Sequence, residues 1–181
     1  MEIILKKPDN NNLEKVIEGC QRGDNDSFSQ LLTIYSTRLY GFFYRLTGRT
    51  DIADDLLSRL FVKLVKIIDS YHGGNFDAWL FKVAINVFYD HLRAQKRDKK
   101  LLENKQSQLL YESNRSSDND LADDLQRNLE KLDPEIRELI VNRFYSQLSF
   151  KQLAHQRNEP IGTTLSKIHR GLKKLRELME K

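Results

Sequence analysis

A basic helix near the C-terminus carries the side chains best suited to binding a polyanion. At helical spacing, its outward face would hold Thr164, Ser166, Lys167, His169, Arg170 and Lys174. Its buried side would hold Leu165, Ile168, Leu172, Leu175 and Leu178. Ammonium and guanidinium groups neutralise phosphates, and a bidentate arginine reads a guanine edge in the major groove. The pattern predicts contact with DNA; the alternative is an amphipathic helix whose basic face is only solvated.

A tight turn before this helix makes it the second helix of a predicted helix-turn-helix. Ser149 and Gln152 have the capping-box spacing that begins a first helix. Asn158 can end that helix in the left-handed conformation, and Pro160 prevents its continuation. We expect Thr163 to be the N-cap of the second helix. Two short helices at an angle, the second of them basic, fit the DNA major groove.

A second polar stripe lies on the helix predicted to begin near Phe76. Its members are Lys82, Asn86, Tyr89, Asp90, Arg93 and Arg97. Cations on such a stripe could follow a nucleic-acid strand, and aromatic rings stack on exposed bases. Nearby residues that could line a pocket for an unstacked base are Tyr71, His72, Asn75, Phe76 and Trp79. The alternative for Phe76 and Trp79 is burial in the protein core.

The residue types that usually carry catalysis are present but not arranged for it. The histidines lie in separate segments, at His72, His91, His155 and His169, without the spacing of a metal site. The sequence has no Gly-Lys-Ser/Thr phosphate loop. Cys20 is the only cysteine, which excludes an internal disulfide and a cysteine-based zinc site. We therefore expect a protein without enzymatic activity, with no catalytic residue, no metal and no cofactor.

Length and composition favour two small domains in a reducing compartment. The chain has 181 residues and a net charge of +4, which suits a polyanionic partner without being extreme. A single cysteine is consistent with the cytosol. No stretch approaches the roughly 18 consecutive apolar residues of a membrane helix, and the N-terminus lacks the pattern of a signal peptide. These features predict a cytoplasmic protein without membrane insertion.

Helical periodicity runs through most of the chain, and no segment alternates with the period of a strand. Four predicted helices, the second ending at Gly48, form an N-terminal bundle over residues 1–100. Residues 101–124 are rich in Asn, Ser, Gln and Asp and poor in apolar side chains, so we expect a flexible linker. Pro134 can occupy the first turn of a helix in the C-terminal helix-turn-helix domain, residues 125–181. The predicted fold is all-α, with two domains.

Two sets of residues, in the same order along the chain, resemble the promoter-binding regions of bacterial sigma factors. The set similar to the core promoter-melting region comprises residues 20–28, 54–56 with Phe61, 76–86 and 90–93. The set similar to the upstream-promoter-reading region comprises residues 132–134, Arg137, residues 160–163, Ser166 and residues 169–170. With no sizeable domain between them, the architecture resembles the compact extracytoplasmic-function (ECF) group.

This resemblance implies a specificity subunit that binds core RNA polymerase and promoter DNA and helps to melt that DNA. It implies polymerase docking at Asp55, Leu56 and Phe61. It implies a reader of the −10 element at Asn75, Phe76, Asn86, Asp90 and Arg93, to which the polar stripe adds Arg97. It implies a reader of the −35 element at Arg157, Thr163, Ser166, Lys167 and Arg170. An anti-sigma protein is a further candidate partner.

Several positions depart from the pattern of the sigma family. Ser58 and Arg59 stand where a glutamine and an acidic residue are usual, and Ile85 stands where an arginine is usual. Leu165 replaces a common basic residue, and Arg157 occupies an apolar position in the turn, where it could face a phosphate instead. These departures bear on polymerase docking and on promoter sequence more than on fold.

A second function compatible with the same residues is a dimeric helix-turn-helix regulator that acts without polymerase. Its N-terminal bundle would serve dimerisation or sensing. Such a dimer would bind palindromic half-sites about one helical turn apart, whereas a sigma factor requires core polymerase and an asymmetric promoter with two elements.

Overall fold

The computed structural model describes residues 10–103 and 120–180, which consist of helices joined by short turns, without a strand. The helices are α1 (Asn10–Gln21), α2 (Asn25–Thr47), α3 (Thr50–Ile67), α4 (Phe76–Glu103), α5 (Asp120–Glu130), α6 (Pro134–Ser146), α7 (Phe150–Arg157) and α8 (Ile161–Met179). The predicted all-α architecture with an N-terminal bundle and a C-terminal helix-turn-helix is confirmed. Helices α4 and α5 extend into both ends of the predicted linker, whose residues 104–119 lie outside the described ranges.

The N-terminal helices begin and end at residues that satisfy their free backbone groups. Asp24 accepts a hydrogen bond from the Ser27 N–H at 3.0 Å and so caps the start of α2. Gly48 ends α2 at φ 69°, a left-handed conformation that glycine adopts without steric cost. Asn75 accepts from the Ala78 N–H at 3.1 Å where α4 begins. Short polar segments thus separate the four helices of the bundle.

Helix α2 forms the centre of the N-terminal domain. Its fully buried large side chains are Leu31, Tyr35, Leu39, Phe42, Phe43 and Leu46. The Phe42 ring makes edge contacts with Phe43 and Phe81, with centroids 5.4 and 5.2 Å apart. Each such side chain contributes about 1.5–3 kcal/mol by leaving water. Helices α1, α3 and α4 pack around this apolar axis.

A charged pair lies within the same core. The Arg38 guanidinium contacts the Asp77 carboxylate at 3.1 Å, and both side chains are more than nine-tenths buried. Tyr35 donates a hydrogen bond to the other Asp77 oxygen at 2.8 Å, and Arg38 lies 4.8 Å from the centroid of the Phe81 ring. Because the buried charges are paired and hydrogen-bonded, their desolvation is largely offset.

In the C-terminal domain, α8 crosses α6 at Gly171. A Cβ atom at this position would overlap Ile136 and come within 2.8 Å of Ile140 Cδ1. Only glycine permits this approach, which brings the two helices together at one point of α8. The crossing fixes which side of α8 is buried.

The predicted buried stripe of α8 is therefore wrong in part. Leu165 and Leu172 were expected inside, but they are 41% and 40% exposed. Thr164, expected to face outward, is fully buried and donates to Glu159 at 2.7 Å. The leucine spacing predicted that one face of α8 is buried. The close approach of α8 to α6 at Gly171 instead buries a neighbouring face of the helix. Ile168 and Leu175 are buried as predicted.

The turn between α7 and α8 agrees with the prediction except at one residue. Both hydrogen bonds of the Ser149–Gln152 capping box are present, and Asn158 is left-handed at φ 52°. Thr163 is not the N-cap, because α8 already begins at Ile161 with Pro160 in the capping position. The fixed φ of the proline starts the helix early. The Thr163 N–H instead donates to the Pro160 carbonyl at 3.0 Å.

The two domains pack against each other through α6, which lies against α2 and α4. A single apolar core continues across the boundary and includes, from the C-terminal domain, Leu129, Leu132, Ile140, Val141 and Leu175. A smaller cluster inside the helix-turn-helix contains Leu139, Leu148, Leu153 and Ile168. The composition of the predicted linker did not indicate that the two domains pack against each other. Among the helices of residues 10–103 and 120–180, none combines the length and the apolar run that a membrane span requires.

Candidate nucleic-acid interface

The first turns of α8 expose three of the residues predicted to read the −35 element. Thr163, Ser166 and Arg170 are all exposed, and Arg170 Nε donates to the Ser166 carbonyl at 3.3 Å. The capping box fixes α7, and the turn at Asn158 fixes the direction in which α8 leaves it. The helix therefore presents hydroxyl and guanidinium groups from a rigid support, as a major-groove reader requires.

Lys167, the fourth predicted contact, is engaged within its own domain. Its ammonium group donates to Glu135 at 2.7 Å and to Glu159 at 2.8 Å, and its side chain is 20% exposed. The hydrogen bonds to Glu135 and to Glu159 raise the pKa of Lys167. The bond between Lys167 and Glu135 also lowers the pKa of Glu135. A DNA phosphate would have to compete with these two carboxylates for the lysine.

Arg157, the fifth predicted contact, lies between acidic side chains rather than on an open surface. It contacts Glu135 at 2.6 Å and pairs closely with Glu138. Only 17% of its side chain is exposed. The expectation that this arginine turns toward a phosphate is thus not met in this arrangement, because carboxylates already neutralise it.

Glu138 is a buried acidic residue beside the predicted −35 contact Arg157, and the sequence did not single it out. It is buried on α6 and accepts hydrogen bonds from Arg157 and, at 3.1 Å, from the Tyr89 hydroxyl of α4. Burial and the nearby Glu138 charge raise the pKa of Tyr89 to about 12. A lone glutamate in a helix resembles a solvated charge, so its burial was not predictable. The one available signal was Arg157 at a normally apolar turn position, which requires a buried counter-charge.

The polar face of α4 is exposed as predicted. Asn86, Asp90, Arg93 and Arg97 all face solvent. Asp90 accepts from Arg93 and lies 3.6 Å from Lys63 of α3. The hydrogen bond from Arg93 lowers the pKa of Asp90, so this carboxylate is ionised at neutral pH. The face therefore combines an amide, an anion and cations along one side of a single helix.

The two remaining −10 candidates, at the start of α4, differ in their exposure to solvent. Asn75 is exposed, with its side-chain oxygen used as a cap. Phe76 is only 4% exposed and packs between Tyr35, Tyr71 and Trp79, with ring centroids 5.1–5.7 Å apart. Its faces are occupied by protein rings, so this arrangement fits the core alternative for Phe76 rather than base stacking.

The docking candidates on α3 are also divided between surface and core. Asp55 is exposed and pairs with Arg59 at 2.9 Å, so the unusual arginine is balanced within the helix. Leu56 is fully buried and supports the helix from inside, while Phe61 is partly buried. Val62 and Val65 are 60% and 58% exposed, which is unusual for valine beside a charged face. Neither valine was singled out from the sequence, because residues 60–68 are mostly apolar and do not define one exposed side.

The chain matches the family models of Sigma-70 region 2, over residues 31–98, and Sigma-70, region 4, over residues 128–177. The first match contains α3 and the exposed polar face of α4. The second contains α6 and the helix-turn-helix. The exposed faces described above thus fall one in each region.

Proteins similar over most of the chain are sigma factors. The ECF RNA polymerase sigma factor SigW of Bacillus subtilis is 28% identical over 98% of this chain and 97% of that protein. The ECF RNA polymerase sigma factor SigE of Mycolicibacterium smegmatis is 29% identical over 86% of this chain, which spans 62% of that longer protein. The Bartonella quintana sigma factor RpoE, solved with the anti-sigma factor NepR, has a TM-score of 0.67 and 29% identity, covering 84% of this chain and 96% of that one. With both regions matched in order, and with SigW and SigE both ECF sigma factors, the chain belongs to the ECF group of sigma factors, which bind core RNA polymerase and promoter DNA and direct promoter-specific transcription.

Proposed function

We propose that the two exposed faces divide promoter recognition between them. Helix α8 reads the −35 element through Thr163, Ser166 and Arg170. Helix α4 holds the −10 element through its polar face, formed by Asn86, Asp90, Arg93 and Arg97. The observation that carries the proposal is the exposure of these polar faces on two helices, each in one of the two matched regions. No catalytic step by the chain itself is needed, since recognition and melting are binding events.

The test is transcription of a genomic DNA library by core RNA polymerase from the same cell, with and without the purified chain. We expect new start sites that share two elements at a fixed spacing. A gel-shift on the recovered sequences should show a specific complex only when polymerase is present. The dimeric regulator would instead bind a palindromic duplex alone. If initiation sites are the same with and without the chain, the proposal is wrong.

On such a promoter, Arg170→Ala is expected to weaken −35-dependent binding by about 1–2 kcal/mol, the loss of one bidentate base contact. Lys167→Ala should cost less, because Lys167 is already paired with Glu135 and Glu159. The measurement is the promoter affinity of the polymerase complex at two salt concentrations.

The matched control is Lys174→Ala, which removes an exposed cation farther along α8. If its affinity loss equals that of Arg170→Ala, the effect is general electrostatics and Arg170 is not a base reader.

We also propose that the exposed face of α3 docks on core RNA polymerase. Asp55, Arg59 and Val62 lie on one side of this helix, since they are four and three residues apart. Val62 and Val65 together place exposed apolar surface beside this charge pair, and a contiguous apolar patch rimmed by polar residues is typical of a protein-binding surface. Buried Leu56 would contribute only by supporting the helix. The Asp55–Arg59 pair leaves this face with little net charge, so apolar contact carries more of the docking energy.

Val62→Gln is therefore expected to weaken binding to core polymerase about five- to tenfold, while helical content and thermal stability stay unchanged. One desolvated aliphatic side chain is worth about 1 kcal/mol or slightly more at an interface. Affinity would be measured with labelled chain and core enzyme. Leu32→Gln, at an exposed leucine of α2, is the control and should have no effect. Equal losses in the two variants would remove α3 from the docking surface.

An anti-sigma protein is a further proposed partner. The support is the solved relative described above, which is a complex with an anti-sigma factor.

A further inference from the structure

The loop that leads into α4 contains two adjacent glycines, which by themselves leave its shape unspecified. Gly73 and Gly74 adopt positive φ, at 93° and 94°, and a Cβ atom on either would meet nothing within 4 Å. Glycine loses more conformational freedom on ordering than any other residue. We call residues 71–75 the glycine loop; it carries the exposed side chains of His72 and Asn75. Their directions depend on the contacts that hold the loop.

The glycine loop is tied to its own first residue, Tyr71. The Tyr71 hydroxyl donates to the Gly74 carbonyl at 2.8 Å, and its ring packs against Trp79 with centroids 5.5 Å apart. The Asn75 side-chain oxygen accepts from the Ala78 N–H at 3.1 Å, which fixes the direction of its amide group. The order of the loop therefore depends on how firmly the Tyr71 backbone is held.

The Tyr71 backbone is held by a side chain of α1. Gln21, the last residue of α1, donates its side-chain amide to the Tyr71 carbonyl at 2.8 Å and to the Ile68 carbonyl at 3.3 Å. These carbonyls flank the end of a 3₁₀ turn, Ile68–Ser70, where regular backbone hydrogen bonding stops. One partly buried amide thus joins that turn to the start of the glycine loop. The Sigma-70 region 2 match begins at residue 31, so Gln21 lies outside it.

We propose that Gln21 is a positioning residue for −10 recognition, since its amide holds the glycine loop in the shape that presents His72 and Asn75 to an unstacked base. A base that leaves the stack loses stacking and pairing energy, and a loop ordered in advance adds no further ordering cost to binding. The proposal rests on the proposed function for its effect on DNA binding. The ordering of the loop by Gln21 does not depend on DNA.

The first test is quenching of Trp79 fluorescence by acrylamide, in the full-length chain without DNA. Trp79 is the only tryptophan of the chain, and its ring packs on Tyr71. Gln21→Met keeps the length of the side chain but removes both donated bonds, so we expect a clearly larger quenching constant at unchanged helical circular dichroism. Gln21→Glu has the same shape without a donor at neutral pH and should behave alike, whereas Gln21→Lys retains a donor and should restore most of the protection. Glu18→Gln, exposed on the same helix, is the control and should match the wild type.

The second test is the affinity of the polymerase complex for single-stranded DNA that carries the −10 element recovered in the transcription experiment. Gln21→Met should weaken this binding about three- to tenfold, which corresponds to the net loss of one hydrogen bond. Affinity for the −35 duplex and for core polymerase should stay unchanged, whereas a merely structural role would lower all three affinities together.

Unchanged quenching in both Gln21→Met and Gln21→Glu would overturn the ordering of the glycine loop by Gln21. Increased quenching with unchanged −10 affinity, or an equal loss of all three affinities, would overturn its role in −10 recognition. Because the quenching experiment contains no DNA, failure of the proposed function is distinguished from failure of loop ordering.

Discussion

Arg38→Met is expected to lower the free energy of unfolding by about 3–5 kcal/mol, the largest effect we expect from a single substitution. Arg38 is buried and neutralises Asp77, while its Nε caps the end of α6. Methionine fills similar volume but leaves a buried carboxylate whose remaining side-chain partner among the described residues is the Tyr35 hydroxyl. Removing one member of a buried ion pair typically costs this much. Urea unfolding followed by circular dichroism would measure it.

The double variant Arg38→Met with Asp77→Asn separates charge from packing. Asparagine still accepts the Tyr35 hydrogen bond but carries no charge, so we expect the pair of substitutions to restore more than half of the lost stability. A loss below about 1 kcal/mol for Arg38→Met alone would mean that the pair behaves like an exposed salt bridge, and that water reaches Asp77.

Gly171→Leu should destabilise the helix-turn-helix by about 3 kcal/mol or more. The new side chain would overlap Ile136 and crowd Ile140, so α8 must move away from α6. Overpacking typically costs about 1–3 kcal/mol, and here the clash begins at the first side-chain atom. Thermal unfolding would register the loss, and −35-dependent transcription should fall with it because the reader shifts.

Gly162→Leu provides the matched control on the same helix. A Cβ there meets nothing within 4 Å, and the residue is exposed in the first turn of α8. Replacing glycine in a helix gains up to about 1 kcal/mol in propensity, so this variant should be as stable as wild type or slightly more. Similar destabilisation in both variants would show that the loss does not come from the α6–α8 crossing at Gly171.

Local features of the fold were predictable because short-range chemistry determines them. The caps at Asp24, Ser149 and Gly48, and the left-handed Asn158, follow from residues within four positions of each other. Pro160 shows the limit of this reasoning, since the helix began two residues before the threonine expected to cap it. The types and order of the helices were therefore predictable, and their exact starts less so.

Features that depend on distant residues were not predictable. The buried side of α8 is set by glycine against two isoleucines of α6, and glycine contributes nothing to a hydrophobic pattern. The packing of Tyr145 on Gly41 joins residues more than a hundred positions apart. The linker composition indicated separation, whereas the apolar surface of α6 pairs with that of α2 and α4.

The candidate site also contains residues that were predictable from nearby sequence and residues whose environment depends on distant parts of the chain. The exposed polar residues of α4 and α8 were predicted from spacing and resemblance, and most of them lie on open helix faces. Phe76, Leu56 and Arg157 are instead enclosed by neighbours that a linear pattern does not contain. A role in binding was assigned to these three by position, yet position alone does not specify whether a side chain supports a surface or forms it.

The packing of α6 against both domains limits how chimeras between related proteins can be built. Residues of α6 belong to two apolar clusters at once, so the C-terminal half of this chain cannot be exchanged independently of the N-terminal half. A chimera that received another protein's C-terminal half would keep its own Gly41 and Arg38, which would then face the α6 of the other protein. We expect such chimeras to fold only when the contacting positions on α2 and α4 are transferred together with α6.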